Sequence, residues 1–416
     1  DLLFLGVLGW GIDSVALAMC IAYGLSALIG ALLLMRRSLN FRFLPPWRLR
    51  GQRVRTLLRS IITTGSPNAL ENVCIVVRTA VINNVAAAVF GAVALGVYII
   101  IDDITMVTLV FAAGTSGAAM AFLGVFTAER DSRNTAKILR LSFVWGLPAI
   151  LALAIVLELF APEVAAFFGV AAGVDAAVFS TAIRVFATGL PFFFFNYLMI
   201  TVYQSQRRMG ASNAIVFARE LGPLLLLALL CGPLGMMGIW VAFPATEVLT
   251  TLAILLYGQA KRHRDRYLAP VFLVDRKTEL EGESVSLLVR NSPQEIVSAV
   301  ESVAQFCERR QLGTRMSMAI QLALEEMLSA ICEHGLAGMP KATMNVRVLA
   351  LGREVIVRIR NGGARFNPIE YAERGERAPT ELSLAMTGVM MILKLAETVD
   401  YRSTFGVNNL MITIRE

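Results

Sequence analysis

The sequence predicts two fold classes in series: an all-α polytopic membrane domain of about seven helices, then an α/β sandwich on the water side of the bilayer. Three observations predict it. Hydrophobic residues make up 56% of the 416 positions and mean hydropathy is +0.65, values that soluble chains rarely reach. The apolar residues gather into bilayer-length runs, all before residue 260. Residues 1–260 then hold 17 basic and 12 acidic side chains, whereas the shorter stretch 261–416 holds 21 and 19, so the chain becomes compatible with water near Lys261.

The apolar runs are Asp13–Met35, Ile61–Ala87, Ala94–Phe126, Ile138–Phe160, Val178–Tyr203, Asn213–Cys231 and Met236–Tyr257. Each is close to the roughly 20 residues a helix needs to cross the hydrocarbon core, and none alternates with a strand's period of two. Arginine sets the orientation. Arg36, Arg37, Arg42, Arg48, Arg50, Arg53, Arg55 and Arg59 follow the first run; Arg130, Arg133, Lys137 and Arg140, then Arg207 and Arg208, then Lys261, Arg262, Arg264 and Arg266 fill alternate later loops. The intervening Ala88–Val93, Ala161–Ala177 and Gly232–Gly235 carry no Lys or Arg and belong outside. That places the C-terminal region in the cytosol of a multi-pass protein of the plasma (inner) membrane.

A net charge of +7 and a pI of 9.4 raise the question of nucleic acid. Most of the excess lies in membrane loops, so the partner is the lipid bilayer with its anionic headgroups, and no nucleic acid is expected. Cys20, Cys74 and Cys231 fall in apolar runs and Cys307 and Cys332 on soluble helices, without a CxxC spacing. All five read as small buried hydrophobes in a reducing compartment. With only His263 and His334 available, a histidine-rich metal site is excluded. The chain opens at Asp1, partway through an apolar Leu/Gly segment, Leu2–Trp10, and reads as part of a longer protein.

Charges inside a span face a cavity, a partner or a pathway, because lipid tolerates no ionised group cheaply. The candidates are Glu71, Arg78, Asp102, Asp103, Arg184 and Glu247. Arg78 and the Asp102-Asp103 pair lie at matched depth below one short outer loop. Arg78 is therefore expected to pair with one aspartate, leaving the other to a cation or proton. A neutralised pair that merely orients two helices is the competing reading. Pro67, Pro148, Pro191, Pro223 and Pro244 fall in or at the edges of spans and predict bends.

Gly65-Ser66-Pro67 through Glu71, Asp102-Asp103-Ile104, Ala112-Ala113-Gly114, the Gln204-Ser205-Gln206-Arg207-Arg208 turn and the final pair of spans resemble the C-terminal six-helix lobe of MATE exporters. Leu8-Gly9-Trp10-Gly11 and the first span resemble the end of the N-terminal lobe. The resemblance implies a Na+- or H+-driven antiporter of small organic, often cationic, cargo, built from two such lobes. The coupling carboxylate that many members carry in their first helix would lie upstream of Asp1.

After a connector, residues 261–283, the domain at 284–416 reads as strand Ser284–Arg290, a helix Pro293–Arg310 opened by Ser292 and Pro293, a helix Arg315–His334, strands Thr343–Ala350 and Glu354–Arg360, a Gly362-Gly363 turn needing positive φ, a Glu373–Arg377 charge run on a lid or surface loop, a helix Leu384–Ala396 and a strand Leu410–Arg415. Strands with helices packed on one face form a sandwich.

Leu324-Glu325-Glu326-Met327 with Glu333-His334-Gly335, then Arg360-Asn361-Gly362-Gly363-Ala364-Arg365-Phe366-Asn367-Pro368, then Gly388, resemble the GHKL ATP-binding fold, nearest the anti-sigma-factor serine kinases. The resemblance gives Glu326 the catalytic position and Asn361, Gly363, Phe366 and Gly388 the nucleotide-binding positions, with ATP or ADP and Mg2+ as cofactor. Two positions depart from it. Ala330 stands where the magnesium-binding Asn belongs, and Asn361 where an Asp reads the adenine amino group. An ion that demands near-octahedral oxygen coordination loses a ligand, so weak nucleotide binding with little or no hydrolysis is expected. Glu326 is then a relic or active base, or else an ordinary solvated helix charge.

No GxxxxGK[ST] run is present to drive transport directly. The resulting expectation is a cation-coupled exporter of small organic molecules with a nucleotide-binding regulatory domain, to which a regulatory protein could bind. A membrane-anchored signalling protein and a flippase for a lipid-linked saccharide are the alternatives.

Overall fold

A computed structural model of the protein describes residue 10 and residues 13–35, 51–128, 131–170, 173–260, 270–274, 282–377, 384–404 and 406–415. Arg36–Arg50, Arg130 and Lys261–Arg266 of the arginine pattern, and the Leu2–Gly9 part of the opening segment, lie outside the described residues. The chain forms two units, Asp1–Thr63 and Thr64–Glu416. The first holds α1 (Asp13–Met35) and the opening of α2 (Gly51–Val85). Residues Ala16–Leu33 of α1 have a mean hydropathy of 2.1 and none is buried; a helix apolar on every exposed side suits lipid, not water.

In the second unit α2 passes through a π-helical turn, Ala86–Phe90, into α3 (Gly91–Ala128). Thr79 meets Tyr98 at 3.3 Å and Arg78 meets Asp102 at 3.5 Å. The numbers in each pair have nearly the same sum, as in two antiparallel helices, so α3 runs back along α2. The reversal falls at Gly91, whose φ of 81° is in the region that side chains disfavour. There follow α4 (Ser132–Leu159), a short α5 (Ala161–Phe167) inside the expected outer loop, α6 (Val174–Ala187), α7 (Leu190–Ser205), α8 (Met209–Leu234) and α9 (Met237–Ala260).

Among the described residues five stretches are long and apolar enough to cross a membrane, and a sixth is formed by α6 and α7 together, bent by 43°. The longest of the five, Val54–Thr127, is the folded-back α2–α3 pair, which accounts for the seventh expected crossing. The bend corrects the reading of Val178–Tyr203 as one unbroken run. It sits where Thr188 closes one helix, Gly189 opens the next and Pro191 enters that helix's first turn, a position where a missing N–H costs no hydrogen bond.

The lobe is apolar both inside and outside. Trp240, Tyr98, Tyr203 and Phe194 are sealed in its core, yet Val110, Trp145, Leu225 and Leu256 are about 70% exposed or more, a surface for hydrocarbon. The cysteines follow suit only in part. Cys74 and Cys307 are buried and Cys231 and Cys332 half-buried, but Cys20 is exposed on α1. At the arginine-bearing end, Gln204 donates to the Thr64 carbonyl (3.0 Å) and Asn213 to Ser66 (3.1 Å), joining two of the segments that carried the MATE resemblance. Tyr203 and Gln206 donate to the carbonyls of Val271 (2.9 Å) and Phe272 (2.7 Å), so this part of the connector is tied to the lobe.

The sandwich has a five-stranded antiparallel sheet in the order β1 (Glu283–Arg290), β2 (Thr343–Leu351), β3 (Glu354–Asn361), β5 (Val407–Arg415) and β4 (Thr398–Thr404). Its helices are α10 (Pro293–Arg309), α11 (Thr314–Ala330), α12 (Pro368–Arg377) and α13 (Leu384–Leu395). Ser292 caps α10 by accepting from the Glu295 N–H at 3.3 Å. Past Ala330, α11 continues as a π-helical turn, Ile331–Gly335, which carries it to the expected end. The Glu373–Arg377 run is helical, not a loop: Asn367 caps it by accepting from the Ile369 N–H at 3.0 Å, and Pro368 follows. The unanticipated β4 is a polar edge strand whose Asp400 and Arg402 pair at 2.7 Å, the kind of edge that discourages further strand addition. Gly362 and Gly363 do not adopt positive φ. A side chain at Gly363 would instead collide with the Gly335 carbonyl, so close approach, not handedness, requires glycine there.

The pleat of β3 sends its side chains to opposite faces of the sheet. Val355, Val357, Ile359 and Asn361 face the helices, the first three entering a core with Ile320, Leu324, Val389 and Ile392. Ile356, Arg358 and Arg360 face the other way. Ile356 and its cross-strand neighbour Leu349 are 7% and 5% exposed, although neither belongs to that core.

Candidate functional site

Five helices converge on a buried charge network in the membrane lobe. Arg78 of α2 donates to Glu220 of α8 at 2.5 Å and reaches Asp102 of α3 at 3.5 Å. Arg219, next to Glu220, donates to Glu247 of α9 at 3.1 Å and lies over the Phe193 ring of α7 at 4.4 Å. Asn196 of α7 donates to the Glu247 carboxylate at 2.6 Å and accepts from Thr251 at 2.9 Å. Arg78, Arg219, Glu220 and Glu247 are all at most 9% exposed. A cavity of about 20 Å³ touches Arg78, Arg219, Glu247, Phe193 and Phe243, room for one water or a small ion.

Of the residues expected here, Glu71, Arg78, Asp102 and Glu247 join the network. Glu71 is half-buried, within electrostatic reach of Arg219, Glu220 and Arg78. Asp103 points away and is exposed. Arg184 is exposed as well, donating to the Glu158 carbonyl at 3.1 Å. The expected Arg78–Asp102 pair forms, but the nearer partner is Glu220, which the sequence does not single out; nor does it single out Arg219. The two buried arginines balance the two buried glutamates, and half-buried Asp102 and Glu71 are in excess. A surplus of negative charge in a low-dielectric interior is costly without a cation or a proton.

In the sandwich, Glu326 is half-buried on α11 and lies against Gly388 of α13 so tightly that no side chain fits at 388. Burial first, then neighbouring Glu325, holds the Glu326 carboxyl above the ordinary carboxylate range. Phe366 belongs to an aromatic cluster, 5.1 Å from the His334 ring and 5.3 Å from Tyr371, while His334 and Tyr371 share a 3.1 Å hydrogen bond. Asn361 is 7% exposed. Its amide oxygen accepts from the Gly363 N–H at 3.0 Å and from Asn408 at 3.0 Å.

These residues do not fit a magnesium–adenine nucleotide. Ala330 is 1% exposed and offers no oxygen. Among the described residues no three His, Cys, Asp or Glu side chains are placed to share a metal. The Asn361 oxygen that would read an adenine amino group already accepts from the Gly363 N–H and faces the Asn408 amide.

A third arrangement, which no sequence motif announces, joins the two domains. Asp131, 1% exposed in the turn before α4, accepts from the Asn134 N–H at 3.1 Å as a helix cap. The same carboxylate accepts from Arg358 of β3 at 2.6 Å and lies 3.5 Å from Arg347 of β2. Arg360 covers the Phe126 ring of α3 at 4.9 Å. Burial pushes the Asp131 carboxyl up, but hydrogen bonds from Arg358 and Asn134 outweigh it and leave the group below its ordinary value. Burial alone lowers the Arg360 guanidinium to about 10. The outward face of the sheet is thus seated on the α3–α4 turn. One local signal exists: an Asp just before the head of an apolar run is a helix N-cap residue type.

Comparison with known proteins agrees with these two halves. The MatE family model matches residues 67–226, and that of the histidine kinase-like ATPase domain matches residues 289–414. No curated protein matches the chain. Similar solved structures include a multidrug resistance MATE family transporter of the MOP superfamily in its outward-facing conformation, 20% identical over 63% of this chain and 58% of that one, with a TM-score of 0.55. Another is a MATE in the straight conformation, 21% identical over 63% and 58%, with a TM-score of 0.54. A third is a MOP superfamily transporter from Pyrococcus furiosus whose reversed binding-pocket polarity suggests a different function, 19% identical over 63% and 58%, with a TM-score of 0.54. The chain spans 58% of the length of the first of these. The membrane lobe therefore has the fold of MATE transporters and matches the MatE model over residues 67–226, and the sandwich matches the model of the histidine kinase-like ATPase domain.

Proposed function

We propose that the chain is the C-terminal-lobe portion of a cation-coupled antiporter that exports small organic molecules across the plasma (inner) membrane, with Na+ or H+ as the coupling ion. The single observation that carries this is the charge surplus: Asp102 and Glu71 exceed what buried Arg78 and Arg219 neutralise beside Glu220 and Glu247. A transported cation or proton supplies the missing charge and is released when the helices rearrange. The bend between α6 and α7 lies beside the same cavity, which Gly189 and Leu190 also line, so the network sits where the helices can pivot.

The sandwich, on the cytosolic side, is a regulatory module that binds a nucleotide weakly and turns it over little or not at all, because Ala330 supplies no magnesium ligand. Glu326 is a relic base, held against Gly388. Docking on the α3–α4 turn through Asp131 gives such a module a route to the helices.

The test is cargo-dependent cation movement in proteoliposomes containing the full-length protein. Asp102→Asn and Glu71→Gln should each uncouple cargo movement from the ion gradient while Asp103→Asn leaves it intact. Coupling that survives both of the first two substitutions refutes the assignment.

A further inference from the structure

We propose that the lipid-facing side of the membrane lobe holds one anionic phospholipid, with an acyl chain in a trough between α8 and α9 and the phosphate at Arg207 and Arg208.

A cavity of about 410 Å³ opens between the start of α8 and the end of α9, bounded by Gly210, Ala214 and Ala218 on one side, Ala253 and Tyr257 on the other, and Tyr203 of α7. That is the size of a small-molecule site. The sequence makes the recess. Gly210, Ala214 and Ala218 recur every fourth residue and so share one face of α8, and a side chain at Gly210 would meet nothing within 4 Å. Farther along the same face stand Leu225 and Leu229, 71% and 69% exposed. The face is therefore one that meets hydrocarbon, recessed only for about 12 Å from the arginine-bearing end, at 1.5 Å per residue. An acyl chain is what a bilayer supplies to fill it.

The mouth of the trough is positive. Arg207 and Arg208 immediately precede α8; Arg207 is exposed, and Arg208 is half-buried within electrostatic reach of Tyr203. Neither has a carboxylate partner among the described residues. The first turn of α8 carries no acidic residue and no side-chain cap, so its leading N–H groups add to the positive field. Half-exposed Tyr257, packed on Tyr203 with ring centroids 6.1 Å apart, suits the level where aromatic side chains meet headgroups. Positive charge directly above an apolar recess matches the two parts of an anionic phospholipid.

A helix of a second copy fits less well. Small residues at every fourth position can seat a neighbouring helix, but Leu225 and Leu229 project from the same face and hold a straight helix off the recess. Two copies related by rotation about the membrane normal would also set one Arg207–Arg208 pair beside the other, like charge on like.

The test is native mass spectrometry of the full-length protein in detergent, incubated with equal amounts of phosphatidylglycerol and phosphatidylcholine of identical chains. One phosphatidylglycerol should be retained at least about tenfold over phosphatidylcholine, the order expected for two arginines beside a headgroup of net negative charge. Arg207→Gln/Arg208→Gln should remove the preference. Ala214→Leu/Ala218→Leu fills the recess from positions that are exposed, so the core is undisturbed, and should lower retention of both lipids. The melting temperature of each variant checks that it folds.

Equal retention of the two lipids by the unmodified protein overturns the proposal, and this comparison needs no variant. A preference that survives loss of both arginines overturns it, as does retention indifferent to filling of the recess. A dimer that the recess-filling variant abolishes would assign the trough to a second copy instead.

Discussion

Replacing Asp131 with Ala should release the sandwich from the membrane lobe. The carboxylate is 1% exposed, bonded to Arg358 at 2.6 Å and near Arg347 at 3.5 Å. Removing one partner of a buried ion pair costs about 3–5 kcal/mol. Arg347 and Arg358 have further interactions that soften the loss, so about 3 kcal/mol is the working figure, equivalent to roughly a hundredfold change in the docked-to-undocked ratio. Loss of the α4 cap adds about 1 kcal/mol, but that penalty falls on the lobe, and Asp131→Asn, which keeps a capping oxygen, isolates it.

The assay is thiol labelling at Leu349→Cys, on the covered face of β2, read peptide by peptide by mass spectrometry. Asp131→Ala should raise the labelling rate about a hundredfold if opening is fast relative to the chemistry. In the parent the docking contribution has a defined pH window. A carboxyl held below its ordinary value stabilises fully above that value, about pH 4, and loses its contribution as pH falls through the lowered one. Labelling at fixed thiolate concentration should therefore be flat from about pH 5 to 8 and rise only in stronger acid. A rate within about threefold of the parent in Asp131→Ala would refute the clamp, since the expected change is roughly a hundredfold.

Three further substitutions probe other parts of the molecule. Arg78→Ala leaves buried Glu220 with Arg219, 3.9 Å away, as its one remaining ion-pair partner among the described residues, and should destabilise the lobe by about 3–5 kcal/mol, measured as lost thermal stability in detergent that Arg78→Ala/Glu220→Gln partly restores. Gly363→Ala drives a methyl group into the Gly335 carbonyl and the Leu336 side chain; an overpacking cost of about 1–3 kcal/mol should lower the melting temperature of the sandwich by several degrees, and no shift would disprove the close approach. Ala330→Asn supplies the absent oxygen ligand, so nucleotide affinity should become magnesium-dependent; affinity that ignores both the substitution and the metal would show that the site no longer contacts a nucleotide's phosphates.

The features legible in the sequence are those with a local physical cause. Membrane helices announce themselves because every residue in a span must suit hydrocarbon. The Ser292 cap and the alternation of β3 are likewise set within a few residues. Arg219 and Glu220 escape notice because adjacent opposite charges inside an apolar run look self-neutralising; only the fold shows that they point to different partners, Glu247 and Arg78. β4 is an edge strand, and edges are polar for reasons that hide the strand pattern. Gly363 invites the commonest explanation of a glycine, positive φ, whereas its cause is a neighbour 28 residues earlier in the chain, Gly335. Asp131 and Arg358 lie 227 residues apart, and no local rule connects them.

The pleat of β3 brings the two proposed roles of the sandwich onto one rigid element. Asn361 faces the helices, while Arg358 and Arg360, three and one residues before it, face Asp131 and Phe126. A ligand can shift docking only if it binds the docked and undocked forms with different affinity. If it does, linkage makes the effect reciprocal: the factor by which nucleotide changes the docking equilibrium must equal the factor by which undocking changes nucleotide affinity. Both sides are measurable with the same variants. Saturating nucleotide should alter labelling at Leu349→Cys, and Asp131→Ala, held undocked, should alter the affinity for that nucleotide by a matching factor. Equal affinities in the docked and undocked proteins, with labelling indifferent to nucleotide, would show that β3 holds two functions back to back without coupling them, and regulation of the helices would then have to come from a protein bound to the sandwich.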